Sequence, residues 1–125
     1  MKYKPQILVI EDEPSVADAL GMVLSDSGYD VTHAYTGCDG VDKACGHAFD
    51  ATITDLRLPD ISGFEVITNI LQQQPGSLII VMTAHFTQDV VVESLRRGAV
   101  HVLAKPFVPS DILAALKLKR APNRR

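Results

Sequence analysis

The chain has 125 residues, 46% of them hydrophobic and 22% charged, with a formal net charge of −3. That length suits one ordinary domain with one substantial core, and the composition belongs to a globular chain rather than a disordered one. The acidic balance argues against non-specific nucleic-acid binding by the body of the domain, and no apolar run approaches the roughly 20 residues needed to span a bilayer.

The first residues lead into a short strand rather than a signal-peptide core, so the expected setting is cytoplasmic. Gln6 to Ile10 is an apolar run that stops abruptly at Glu11-Asp12-Glu13, the pattern of a buried strand entering an acidic loop. A helix follows, with Ala17, Leu20 and Leu24 on one face and Gly28 past its end. Asp30 to Ala34 alternates well enough for a second, less buried strand. Thr36-Gly37-Cys38-Asp39 then caps a helix reaching His47. Cys38 and Cys45 would lie roughly 10 Å apart along that helix. A disulfide tolerates Cα separations of only about 4.4–6.8 Å, so both are expected as free thiols.

Ala51 to Asp55 reads as a third strand, buried on both faces. Leu58-Pro59 forces an extended exit, and Ser62 with Glu65 has the spacing of a capping box. The helix it opens runs from Gly63 to Gln73, with Phe64, Ile67 and Leu71 inward, until Pro75-Gly76 breaks it. Ser77 to Thr83 holds the most apolar run, the best candidate for a central strand. A helix from Thr87 to Arg97 is expected to bury Val91 and Leu95 and to stop at Gly98. Val100 to Ala104 is the fifth strand, and Pro109 opens the last helix, with Ile112 and Leu116 inward. Val90-Val91-Val92 puts more apolar surface on the fourth helix than one buried stripe requires, which fits a partner-facing patch or loose packing. His33, His47, His85 and His101 lack metal-ligand spacing. Five of the last nine residues are basic (Lys117, Lys119, Arg120, Arg124, Arg125). The expected layout is one domain over residues 1–120, with 121–125 a basic tail or the start of a linker.

Strands alternating with helices imply a parallel sheet with right-handed crossovers and helices on both faces. All strands then point the same way, and their C-terminal ends share one edge. Glu11-Asp12, Asp55, Thr83 and Lys105 all lie at such ends, and ligands of open α/β sheets bind there. Like charges about 4 Å apart cost on the order of 4 kcal/mol at an effective dielectric near 20. Lys105 offsets one of the three carboxylates. A divalent cation would remove the rest of the cost, and an all-oxygen, half-solvated site suits Mg²⁺. Phosphoryl oxygens are the habitual further ligands of Mg²⁺, and Asp can itself act as a nucleophile to form an aspartyl phosphate. Lys105 and the Thr83 hydroxyl would then contact the phosphoryl oxygens.

Four segments, in this order and spacing, resemble the receiver domains of two-component response regulators. They are Leu8-Val9-Ile10-Glu11-Asp12-Glu13, Asp55-Leu56-Arg57-Leu58-Pro59-Asp60-Ile61-Ser62-Gly63, Val81-Met82-Thr83-Ala84 and Lys105-Pro106-Phe107. The resemblance covers the chain from Ile7 to Leu118. It implies a flavodoxin-like, doubly wound, five-stranded parallel α/β sheet in the order 2-1-3-4-5, with five helices. It implies that Asp55 accepts a phosphoryl group from a sensor histidine kinase or a histidine phosphotransfer protein, with self-catalysed phosphorylation and slow dephosphorylation. Mg²⁺ would be held by Asp12, Asp55 and the backbone carbonyl of Arg57, with Glu11 acting through water. Thr83, the backbone N–H of Ala84, and Lys105 would bind the phosphoryl group, and the Lys105–Pro106 bond would be cis.

Phosphorylation would draw Thr83 inward and change the surface of helix four, strand five and helix five, where an output domain or partner would dock. No membrane or direct nucleic-acid partner is expected, and the protein would be a monomer or a phosphorylation-dependent dimer. Two positions depart from the pattern. Val102 stands where many receivers carry Tyr or Phe as part of the switch, and Leu58 stands where Met is common. Two other functions compete: a phosphorylation-independent interaction module, and an aspartyl-phosphate phosphohydrolase. The latter needs a second Asp two residues after the nucleophile, where this chain has Arg57.

Overall fold

The computed structural model describes residues 3–117. Five strands alternate with five helices: β1 Gln6–Ile10, α1 Pro14–Asp26, β2 Asp30–Ala34, α2 Gly37–Gly46, β3 Ala51–Thr54, α3 Gly63–Gln73, β4 Leu78–Thr83, α4 Gln88–Arg96, β5 His101–Ala104 and α5 Pro109–Leu116. All pairings are parallel and the order is β2-β1-β3-β4-β5. β3 ends one residue before Asp55, and β5 starts one residue later than the sequence suggests. The tail over 121–125 lies outside the described residues.

The pleat splits the core into two layers. Leu8 and Ile10 face α2 and α3, packing with Ala44, Val66, Ile67 and Ile70. Ile7 and Val9 face α1 and α5, packing with Leu20, Leu24 and Ile112. Every residue of β3 and β4 is buried, which is why their sequences read as unbroken apolar or β-branched runs.

Three local expectations need correction. In α3 the fully buried stripe is Gly63, Val66, Ile67 and Ile70, whereas Phe64 and Leu71 are only partly buried. In α4 the buried residue is Ser94, whose hydroxyl donates to the Val90 carbonyl, and Leu95 is 47% exposed. The Ser62 hydroxyl caps α3 by accepting from the Phe64 N–H, one position earlier than a capping box places it. Both cysteines are exposed free thiols.

Candidate functional site

Three main-chain hydrogen bonds extend the sheet ladder one residue past the strand ends. The N–H of Glu11 donates to Ala34 O (3.0 Å), that of Asp55 to Ile10 O (3.0 Å) and that of Lys105 to Thr83 O (2.8 Å). Each of the three residues is therefore placed by its neighbouring strand. The sequence reading put these residues on one edge, and the structure brings them into contact.

Glu11, Asp12 and Asp55 each offer one carboxylate oxygen, and these three lie within 4.8 Å of one another. Lys105 Nζ bridges two of them, at 2.7 Å from Glu11 Oε1 and 2.7 Å from Asp55 Oδ2. The other Asp55 oxygen, Oδ1, accepts the N–H groups of Leu56 (2.6 Å) and Arg57 (3.2 Å). Glu11 and Asp55 are buried and Asp12 is exposed, so the cluster is reached from solvent at the Asp12 side. Burial pushes the Glu11 carboxyl above its usual range, although Lys105 pulls the other way. Burial also works against the Lys105 ammonium, but Asp55 and Glu11 outweigh it and hold its pKa above the ordinary lysine value.

Of the remaining expected residues, all but Val102 lie at the same edge. Thr83 is buried at the end of β4, and its hydroxyl oxygen accepts the N–H of His85 (3.0 Å). Ala84 is exposed. It lines a cleft of about 530 Å³ with Lys105, Pro106 and Phe107 on one side and Val16 and Ala19 of α1 on the other. Arg57 is exposed, and the Lys105–Pro106 peptide is cis. Val102 sits apart from the cluster, buried in the α3/α4 layer and paired with Val81 across the ladder.

The three carboxylates form an all-oxygen donor set, and the one ammonium leaves an excess of negative charge. That chemistry fits a hard divalent cation better than a thiophilic or imidazole-seeking one. The sequence pattern gives no reason to single out Asp60, yet its carboxylate makes two hydrogen bonds that tie the loop after Asp55 to α2.

A doubly wound parallel sheet with an acidic, lysine-bridged cluster at its carboxyl edge defines a flavodoxin-like α/β domain. The family model described as the response regulator receiver domain matches residues 7–117. The chain belongs to that family. It is 40% identical to the response regulator ArlR of Staphylococcus aureus over 121 residues, which cover 95% of this chain and 55% of that relative. The chain thus spans about half the length of the curated relatives it matches. Among solved structures it is similar to a CheY-like receiver domain protein from Methanospirillum hungatei (TM-score 0.88, 30% identity, 92% of each chain). It is also similar to a response regulator from Burkholderia pseudomallei described with a phosphorylated aspartic acid, a calcium ion and citrate. That match has a TM-score of 0.86 and 32% identity, and covers 91% of this chain and 67% of the other.

Proposed function

We propose that this receiver domain is a phosphorylation-dependent signalling switch in which Asp55 accepts a phosphoryl group from a sensor histidine kinase or a histidine phosphotransfer protein. The observation that carries the reading is the convergence of Glu11, Asp12 and Asp55 with a shared Lys105 bridge. An Asp55 carboxylate oxygen attacks phosphorus, the bond from phosphorus to the donor imidazole nitrogen breaks, and its electron pair stays on the imidazole. Lys105 is within reach of the Asp55 oxygens and offsets charge on the incoming group. The Thr83 hydroxyl and the Ala84 N–H flank the same edge and would hold phosphoryl oxygens. Asp12, Asp55 and the Arg57 carbonyl would hold Mg²⁺, with Glu11 beside them. When bound, the ion would neutralise the carboxylates and the transferring phosphoryl oxygens. The phosphorylated aspartic acid and the metal named for the Burkholderia pseudomallei relative support this assignment by likeness.

The domain would span residues 1–120, with 121–125 leading into a linker or tail. Its readout surface would be α4, β5 and α5, where Val92, Leu95 and Val108 are exposed. An output domain, a partner or a second phosphorylated copy would dock there. No helix among the described residues is long and apolar enough to cross a membrane. The proposed cytoplasmic setting rests on the likeness to receiver domains.

Incubation with acetyl phosphate and Mg²⁺ should add one phosphoryl group by intact mass, and Asp55→Asn should abolish it. Labelling that persists in the Asn variant would overturn the role of Asp55. Partner binding that is unchanged by the variant would favour a phosphorylation-independent interaction module instead. Rapid Mg²⁺-dependent turnover of phosphomonoesters would favour a phosphohydrolase, against which Arg57 stands.

A further inference from the structure

We infer that Asp60 is a positioning residue for the metal site: by holding the first turn of α2 it fixes the loop that presents the Arg57 carbonyl to the metal. This role rests on the metal site of the function proposed above.

The loop after Asp55 is pinned at both ends. Leu56 N–H donates to Asp55, and Gly63 N–H donates to Leu56 O (2.9 Å). Gly63 lies so close that a Cβ there would stand 2.3 Å from Asp55 O. Between these anchors Arg57, Pro59, Asp60 and Ser62 are exposed, and only Leu58 and Ile61 are partly buried. Asp60 crosses from this span to another element. Its Oδ1 accepts Gly37 N–H and its Oδ2 accepts Cys38 N–H, both at 2.8 Å. Thr36 Oγ1 accepts the third amide of the turn, Asp39 N–H, at 3.0 Å. The loop therefore supplies two of three caps that a helix normally finds locally or in water, and it does so with a charge that the helix dipole favours.

The close fit is specific to this arrangement. A Cβ on Gly37 would stand 2.5 Å from Ile61 Cγ1, so only glycine lets the helix end approach the loop. α2 is in turn seated on β1, because a Cβ on Gly40 would stand 2.4 Å from Ile10 Cδ1. Ile10 is the residue before Glu11 and Asp12. A path of close-packed contacts thus runs from Asp60 through α2 to the strand end that carries the other acidic residues. Asp60 sets the Arg57 side of the site relative to the Glu11–Asp12 side. The Cys38 thiol and N–H, with Gly37 N–H, hold the Asp60 carboxyl well below the usual carboxylate range, so the tie stays anionic at any physiological pH. In return Asp60 pushes the Cys38 thiol up.

The test compares wild type, Asp60→Ala, Asp60→Asn and Thr36→Ala in the unphosphorylated chain, with Mg²⁺ affinity read by calorimetry. Asp60→Ala should weaken Mg²⁺ binding by about tenfold, the scale of losing an outer-shell partner. The Mg²⁺ concentration that half-saturates acetyl phosphate labelling should rise by the same factor, while the rate at saturating Mg²⁺ holds. Asp60→Asn, which keeps one acceptor, should fall between. Thr36→Ala removes a cap from the same helix without touching the loop and should leave Mg²⁺ affinity unchanged. Iodoacetamide should alkylate Cys38 faster relative to Cys45 in both Asp60 variants. Should Asp60→Ala fail to fold, Asp60→Asn carries the comparison. The inference is overturned if the folded Asp60 variants bind Mg²⁺ as wild type does, or if Thr36→Ala weakens binding equally. A wild type that binds Mg²⁺ but takes no phosphoryl group overturns the proposed function alone; one that binds no Mg²⁺ overturns both.

Discussion

Lys105→Met removes the cation that bridges the acidic cluster and leaves the side-chain volume nearly intact. In the native domain Nζ lies 2.7 Å from Glu11 Oε1 and 2.7 Å from Asp55 Oδ2, and its side chain is only 17% exposed. Without it, carboxylate oxygens lie within 4.8 Å of one another. Two unit charges at that separation repel by about 3.5 kcal/mol at an effective dielectric near 20. Removing one partner of a buried pair costs about 3–5 kcal/mol by itself. We expect a loss of about 3–5 kcal/mol in Mg²⁺-free urea unfolding near pH 8.

The loss should depend on pH in a definite direction. Burial already raises the Glu11 carboxyl in the folded state, and loss of Lys105 raises it further. A carboxyl whose folded pKa lies above its unfolded value takes up a proton first in the folded state. The repulsion is therefore fully present above the folded pKa and is relieved as pH falls toward the unfolded value of 4.5. The gap between variant and wild type should narrow between about pH 8 and pH 5. Mg²⁺ should narrow it as well, by binding the folded state alone. A loss below about 1 kcal/mol, the worth of an exposed ion pair, with no dependence on pH, would refute the reasoning.

Three further predictions concern packing. Gly63→Ala places a Cβ 2.3 Å from Asp55 O and 2.6 Å from Leu56 Cα, both backbone atoms that cannot rotate away. It should cost about 3 kcal/mol, the upper range for overpacking, and slow acetyl phosphate labelling, so an unchanged melting temperature would contradict the close approach. On α4, Leu95→Gln should leave the urea midpoint within about 0.5 kcal/mol of wild type because the side chain faces solvent. Ile112→Ala, fully buried in α5, should cost about 2–5 kcal/mol in the same assay.

The strands and the acidic edge were legible because both are written in side-chain type. Leu78–Thr83 is apolar because it is buried on both faces, and Glu11, Asp55 and Lys105 stand out because charge interrupts such runs. The helix phases were less legible, for a physical reason. In α2 the buried residues are Gly37, Gly40 and Ala44, in α3 the stripe begins at Gly63, and in α4 it includes Ser94. These small residues let the helices approach the sheet and set their rotation, but a count of large apolar residues passes over them. Hence Leu95 was expected inside, while Ser94 holds that place and satisfies its hydroxyl on Val90 O. The role of Asp60 was invisible for a related reason: its partners are the main-chain N–H groups of Gly37 and Cys38, which carry no side-chain signature.

The site is fixed by main chain and charged by side chain, and this separation makes its chemistry testable. Glu11, Asp55 and Lys105 are placed by N–H bonds to Ala34, Ile10 and Thr83, none of which involves the reactive groups. In Asp55→Asn the amide oxygen can still accept the Leu56 and Arg57 N–H groups that Oδ1 accepts now. The strand end stays where it is, and what disappears is the anionic oxygen that Lys105 contacts. Lost labelling in that variant is then a chemical result rather than a folding one. Gly63→Ala acts from the opposite side, moving the backbone while every reactive atom is retained. In Asp55→Asn, Lys105 keeps Glu11 as its partner and the loss of one carboxylate relieves repulsion in the cluster, so Gly63→Ala should lose more stability than Asp55→Asn, and that contrast separates position from reactivity at Asp55.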